Sequence, residues 1–527
     1  MQMTDRKAYQ SAFWPRAGTD LRSLVLIVAM AAIMMVSAAV ILGADGSDAD
    51  GTNVSVTNWD ELQDALDSAA SGTTIVLAND IFDSSDRDPE ELGEGRDLTI
   101  DLAGFTLGRG RGGMGYDSGR LFVIEGATVT IKNGEMGGGN EDKGGVIYMS
   151  SGKLTLDSVN IYQGYSDDKG GAIYIKGGEL YMTGGSLIES WSGGDASGVY
   201  VTDDAYVKFD GVTFDDNSTA EGKGGAVYVD SAREVVIENC TFIGNAASGN
   251  GGAVYIDGGD YQVTIAHTKF SGNHSYENGG AIHFEGGSGS VQSCTFVDNN
   301  SDIDGGAICC ADGAKVTVSG QDSDLCSFSQ NSSWKSGGAI RVKGGELTLA
   351  NATFERNRAQ EHGAGLYINN DAVVQLENVS FTGNVATQQA GGILIGEDDN
   401  LISFKGKIVV KDNSAGTGNN VYVRTDGIID CFGMADGSYI GVSFERYDRV
   451  FTNSFKTYNE GKDPGQFFKS DNADYYVAAD PDSQEAKIFS QVTGGDMSDN
   501  TTWIIVGVVI ALIVVALLAL FIIRRNH

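Results

Sequence analysis

The sequence predicts an all-β solenoid, a parallel β-helix with coils of about 27 residues, and three observations carry that prediction. A glycine-led motif recurs along the chain at near-constant spacing. A Phe-x-x-Asn motif runs locked in step with it. The segments between them alternate over a few residues and never hold the longer 3.6-period pattern that a helix needs.

The first motif reads Gly144-Gly145-Val146-Ile147-Tyr148, Gly170-Gly171-Ala172-Ile173-Tyr174 and Gly224-Gly225-Ala226-Val227-Tyr228, with further copies starting at Gly251, Gly279, Gly305 and Gly337. Looser copies are Ser197-Gly198-Val199-Tyr200, Gly363-Ala364-Gly365-Leu366-Tyr367, Gly391-Gly392-Ile393-Leu394 and Asn420-Val421-Tyr422. With the fourth position as register, the copies fall at Ile147, Ile173, Val199, Val227, Val254, Ile282, Ile308, Ile340, Leu366, Leu394 and Val421. The spacings are 26, 26, 28, 27, 28, 26, 32, 26, 28 and 27. An aliphatic residue at every copy marks a buried ladder. The second motif places Asn217, Asn245, Asn273, Asn299, Asn331, Asn357 and Asn384 three residues after Phe214, Phe242, Phe270, Phe296, Phe328, Phe354 and Phe381. Stacked at about 4.8 Å per coil, these Asn residues form a corner ladder that hydrogen-bonds along itself, a structural role rather than a catalytic one. The glycine pair supplies a left-handed turn into the next strand. The 32-residue coil carries its extra length as a bulging turn around Gly320 to Leu325.

Composition agrees with this architecture. Of 527 residues 74 are Gly and 4 are Pro, which excludes collagen, and a 41% hydrophobic content argues against disorder. A formal charge of −35 repels phosphate backbones, so no nucleic acid is expected as a partner.

The ends of the chain follow in order. Residues 1–23 form a basic segment read as cytoplasmic. Residues 24–44 contain an uncharged run, Leu24 to Leu42, read as a transmembrane helix or a signal sequence cleaved near Leu42-Gly43-Ala44. Residues 54–97 form an N-terminal cap and first coil, where Asn58-x-x-Glu61 resembles a capping box. Leu62, Ala65, Leu66 and Ala69 give the helix Trp59 to Ala70 one apolar stripe. Residues 98–430 form the repeats, 431–495 a C-terminal β cap and 496–502 a polar link. Residues 503–523 are uncharged and long enough to span a bilayer, and 524–527 are a short tail. Arg524 and Arg525 on one side, and Arg6, Lys7, Arg16 and Arg22 on the other, place residues 45 to 500 outside the cell membrane.

Gly-Gly-Ala-Ile/Val followed by Phe-x-x-Asn resembles the repeats of chlamydial polymorphic outer-membrane proteins and of adhesin-like β-helix proteins of bacterial and archaeal surfaces. The resemblance covers roughly residues 140 to 420. It implies a right-handed, pectate-lyase-like solenoid and a surface protein that binds an extracellular glycan or a surface protein. The chain departs from that family at its end, where a single apolar run stands in place of an outer-membrane barrel.

The fifth motif position alternates with the buried aliphatic and is therefore expected to face outward. It holds Tyr148, Tyr174, Tyr200, Tyr228, Tyr255, Tyr367 and Tyr422, with His283, Cys309, Arg341 and Ile395 in the other coils. An exposed Tyr ladder offers stacking for sugars or a partner; the competing reading is a row that only stacks on itself. No catalytic residues, metal ligands or cofactor are expected. Arg341-Val342-Lys343 echoes an element of polygalacturonases, but its companion motifs are missing. A surface polysaccharide lyase or hydrolase is therefore the alternative, with an inert structural spacer as the third reading. The Asp pairs 167–168, 203–204, 215–216 and 398–399 sit in turns, where Asp is common. Cys294 and Cys326, on adjacent coils, are within disulfide range, with core filling as the competing reading. Nine Asn-x-Ser/Thr sequons occur, of which Asn53 and Asn500 lie outside the repeats.

Overall fold

The computed structural model describes residues 53–491, apart from 84–88, 110–118, 312, 322, 398 and 425–426. The segments 1–23, 24–44, 496–502, 503–523 and 524–527 lie outside the described residues. Among the described residues no helix is long and apolar enough to cross a membrane.

Each coil carries four short strands. In one coil they are Val227–Val229, Glu234–Glu238, Thr241–Ile243 and Ala246–Ala247. The first three belong to a 37-stranded sheet and the last to a separate ten-stranded one. Pairing between coils is parallel and in register: Val227 faces Val254, Phe242 faces Phe270, and Ala246 faces His274. Like therefore stacks on like. Phe214, Phe242, Phe270, Phe296, Phe328, Phe354 and Phe381 form one column with ring centroids 4.3 to 4.9 Å apart. Every ring in it is fully buried, worth roughly 1.5–3 kcal/mol each in apolar area removed from water. The second and third strands meet at a corner residue in the left-handed region, such as Asn239 at φ 54°. In three later coils they merge into the single strands Glu346–Glu355, Val373–Thr382 and Leu401–Lys411.

The two motif glycines have different tasks. The first, Gly224 or Gly251, turns the chain at φ 65° and 72°. The second has an ordinary φ but no room: a Cβ on Gly252 would lie 2.1 Å from the Gly280 carbonyl oxygen and 2.6 Å from that of His274. Coils can approach at sheet spacing there only because neither backbone carries a side chain.

One register expectation is corrected. Ile393, not Leu394, pairs with Leu366 and Val421, so Leu394 and not Ile395 continues the outer row. The visible Gly391-Gly392 pair is displaced by one residue because Ala390 takes the left-handed turn, at φ 55°. Ala196 does the same at φ 50° in the other coil that lacks the leading glycine.

The extra residues of the long coil bulge between Lys315–Ser319 and Cys326–Ser329, with His267 Nδ1 3.2 Å from the Asp324 carboxylate. At the N-terminal end, helix Trp59–Ser68 buries Trp59, Leu62, Ala65 and Leu66. Asn58 Oδ1 accepts from the Glu61 N–H at 3.0 Å, while Glu61 reaches back to the Thr57 N–H at 2.8 Å. Beyond residue 430 parallel stacking continues through Ile429–Met434, Tyr439–Phe444 and Phe468–Ser470. The short helices Phe455–Tyr458 and Pro464–Phe467 and the antiparallel hairpin Tyr475–Ala479/Ala486–Ser490 follow. An antiparallel pair offers no template for a further parallel coil, so stacking ends there.

Candidate functional site

Parallel register brings Tyr148, Tyr174, Tyr200, Tyr228, Tyr255 and His283 into one uninterrupted row. Cys309, Arg341, Tyr367, Leu394 and Tyr422 continue it. The first five rings and His283 stack at 4.8 to 5.4 Å. The expected exposed ladder is not what results. Tyr200 is 2% and Tyr255 0% exposed; Tyr174, Tyr228 and Tyr422 are also buried, and only Tyr148 and Tyr367 are partly open. Alternation does turn these side chains away from the Phe core, but neighbouring rows then close over them. Lys169 and Lys223 lie over the Tyr200 and Tyr255 rings at 4.6 and 4.4 Å and donate to their hydroxyls at 3.0 and 2.8 Å. Tyr228 and Tyr255 donate in turn to Asp257 at 3.0 and 3.1 Å.

At the middle of this row Cys309 and His283, with Glu285 two residues after His283, have the composition of a nucleophile, a base and an orienting acid. Its environment denies that chemistry. His283 Nε2 is 2.8 Å from Glu285, which holds that carboxylate down at about 2. Burial pushes His283 below its usual range and the Cys309 thiol up to about 12. A thiol that stays protonated and closed to water is no nucleophile. The buried hydroxyls of Tyr228 and Tyr255 are likewise pushed up, first by desolvation and then by Asp257, which excludes a phenolate base.

The Asn ladder is a head-to-tail chain. Asn217 Nδ2 donates to Asn245 Oδ1 at 2.9 Å, and the same bond repeats through Asn273, Asn299, Asn331, Asn357 and Asn384. Each Oδ1 also accepts the backbone N–H of the preceding ladder Asn, as at Asn273 to Asn299, 3.1 Å. Each Nδ2 also donates back to a carbonyl of an earlier coil, that of Leu187 for Asn217 and of a Phe for the others, as from Asn299 to Phe270. The chain runs on through Asn413 and Asn420 and ends on Asp471 at 2.7 Å. Asn413 escaped the Phe-x-x-Asn pattern because Val410 occupies the aromatic place; an Asn three residues after any ladder apolar residue was the usable signal. With their side-chain amides engaged in the ladder and Asn217 to Asn384 fully buried, these residues bind nothing external.

Cys294 and Cys326 face each other across adjacent coils, but both are free, buried thiols, with the Cys294 N–H 3.4 Å from the Cys326 sulfur. They fill the core. The pair Asp215 and Asp216 is pushed up by burial, Asp216 to about 6. These carboxylates are chain neighbours on one turn and do not flank a substrate-sized gap as glycosidic cleavage requires. Among the described residues no group of three His, Cys, Asp or Glu could hold a metal ion.

What the surface offers lies elsewhere, on the ten-stranded short sheet. Its inward positions are small: Thr219, Ala247, Ser275, Ser301, Ser333, Ala359 and Ala386. Two outward columns flank them. The first runs His274, Asn300, Ser332 and Arg358. The second runs Tyr276, Asp302, Trp334 and Gln360, linked coil to coil by backbone bonds. Trp334 is 68% and Tyr276 39% exposed. His274 packs on Tyr276 with ring centroids 4.4 Å apart and its Nε2 is 3.0 Å from Asp302. Two-residue strands are too short to show periodicity, so the sequence reading passed over this face. Its signal was the third residue after each ladder Asn, which is Tyr276 after Asn273 and Trp334 after Asn331.

Comparison with known proteins agrees with the architecture. The family model described as "Right handed beta helix region" matches residues 144–323. No match is found among curated proteins or among solved structures. The coils, the parallel register and this family likeness together make the described repeats a right-handed parallel β-helix.

Proposed function

We propose that the chain is an adhesin-like surface protein, anchored in the cell membrane, that recognises an extracellular glycan or surface protein without chemistry. The observation that carries this reading is the exposure of Trp334 and Tyr276 beside the short sheet, each directly after its strand, while the Tyr row stacks inside. A large aromatic ring left 68% open is costly in water and is a common feature of recognition surfaces. The burial of His283 and Cys309, with the Cys309 thiol held protonated, speaks against the lyase or hydrolase alternative. The apolar runs Leu24 to Leu42 and Trp503 to Ile523 support membrane anchoring with residues 45 to 500 outside. The test is a glycan and surface-protein array probed with the purified full-length chain, with each retained polysaccharide measured for length. Retention at unchanged length is expected. Shortened chains, or retention of nothing, would overturn the reading.

A further inference from the structure

We infer that the short-sheet face holds an extended, neutral β-1,4-linked polysaccharide lying along the solenoid axis, one sugar per coil. This deepens the recognition reading and rests on it. Tyr276, Asp302, Trp334 and Gln360 follow one another in one outward column, since the N–H of each donates to the preceding coil, as Asp302 to Ser275 and Trp334 to Ser301, both 2.9 Å. The two rings are thus separated by two coil rises, about 9.6 Å. One coil rise is close to the length each pyranose adds to an extended β-1,4 chain. In such a chain successive sugars are turned over, so sugars one and three present the same face in the same direction. Tyr276 and Trp334 then stack on equivalent faces, and the intervening sugar meets Asp302. That carboxylate is held by His274 Nε2 at 3.0 Å and can accept from a sugar diol. In the neighbouring column Ser332 Oγ donates to Asn300 Oδ1 at 2.8 Å, which leaves the Asn300 amide NH2 to donate at the level of Asp302.

Charge selects the polymer class. Asp302, level with the middle sugar, and a chain net charge of −35 repel a polyuronate, the one cation of the two columns, Arg358, lying a coil beyond Trp334, whereas an uncharged hexose polymer meets no such repulsion. The α-1,4-glucan linkage is disfavoured for a separate reason. It curls the chain and carries the third sugar out of reach of the second ring.

The test is calorimetric titration of the full-length chain with soluble hexaoses: β-1,4-glucose, β-1,4-N-acetylglucosamine, α-1,4-glucose and α-1,4-galacturonate. At least one β-1,4 probe is expected to bind, and both α-1,4 probes to bind at least ten-fold more weakly. Trp334→Ala weakens the β-1,4 complex about ten-fold, Trp334→Phe much less, and Tyr276→Ala with Trp334→Ala abolishes it. Moving the ring by one coil, as Trp334→Ser with Gln360→Trp, does not restore it, because three coils match the wrong sugar face. Both side chains are exposed, so unchanged circular dichroism and melting are expected of the variants. Binding of a β-1,4 hexaose that survives the double variant overturns the inference and leaves the recognition reading standing. Failure of all β-1,4 probes also overturns it. Retention of other array ligands would then keep the recognition reading, and an empty array would remove both.

Discussion

Replacing Asn299 by Ala breaks the amide ladder at its centre, and the loss can be worked from its bonds. Asn299 Oδ1 accepts from the Asn273 N–H at 3.1 Å and from one hydrogen of Asn273 Nδ2 at 2.9 Å; both hydrogens would be left buried and unpaired, while the other Nδ2 hydrogen keeps the Phe242 carbonyl. Asn331 Oδ1 keeps a partner, because it still accepts the backbone N–H of residue 299. Two orphaned donors at about 1–3 kcal/mol each give a loss of about 2–6 kcal/mol. Asn299→Asp separates donor from acceptor. It keeps the acceptor but turns a second oxygen toward Asn331 Oδ1 and the Phe270 carbonyl, which now received N–H bonds. The protonated acid can still donate one of those bonds, so the folded state holds the proton more tightly than the unfolded chain does. A raised folded pKa means that stability is greatest at low pH and is lost as pH rises above about 4, the unfolded value. Denaturant midpoints, read from pH 3 to 8 at unchanged slope, measure both effects, and native-state hydrogen exchange places the weakened coils around 273 to 331. A loss below 1 kcal/mol for Asn299→Ala, or a pH-independent Asn299→Asp, would refute the account of the ladder as a fully engaged polar chain.

Two further expectations concern the backbone and the Tyr row. Gly272→Ala meets no atom within 4 Å and suffers only its left-handed φ of 67°, a loss of about 1–2 kcal/mol; Gly252→Ala drives a Cβ into carbonyl oxygens and should lower expression of folded protein outright. Equal melting temperatures for the two variants would contradict the close-approach argument. His283 prefers to be neutral when folded, its pKa being lowered by burial against the pull of Glu285, with Lys223 adding to the lowering. The unfolded chain therefore takes up more protons below about pH 6.5, and stability falls as pH drops from there; Glu285, held near 2, adds a second loss below about 4.5. His283→Phe, which keeps the ring stack on Tyr255, should flatten the curve between pH 7 and 5, as thermal melts would show.

Much of this architecture is written in single residues. The aliphatic fourth position, the Phe column and the Asn corner are legible because each sits at one place per coil and each demands one chemistry. The helix at Trp59–Ser68 is legible for the same reason: its cap and apolar stripe are local. Alternation gave the direction of the Tyr side chains but not their exposure, which depends on Lys223, Asp257 and Glu285 from flanking rows and other coils. The slip at Leu394 arose because Ala390 accepts a conformation that the pattern assigns to glycine. Trp334 lay one step beyond a motif already in hand, hidden by a strand only two residues long.

The ladder has a direction, and direction constrains how such a molecule can change length. Every link donates toward the C-terminus, so one coil more or fewer in the interior leaves all other links as they were. The ends are not interchangeable. The first Asn needs only a backbone donor, the Ser190 N–H at 3.1 Å, whereas the last needs an acceptor, which Asp471 supplies to the N–H and Nδ2 of Asn420 through its two oxygens. Growth by duplication is therefore open anywhere between Asn217 and Asn413. An added coil beyond Asn420 would have to bring its own terminal acceptor, which makes Asp471 the full stop of the sentence the repeats spell.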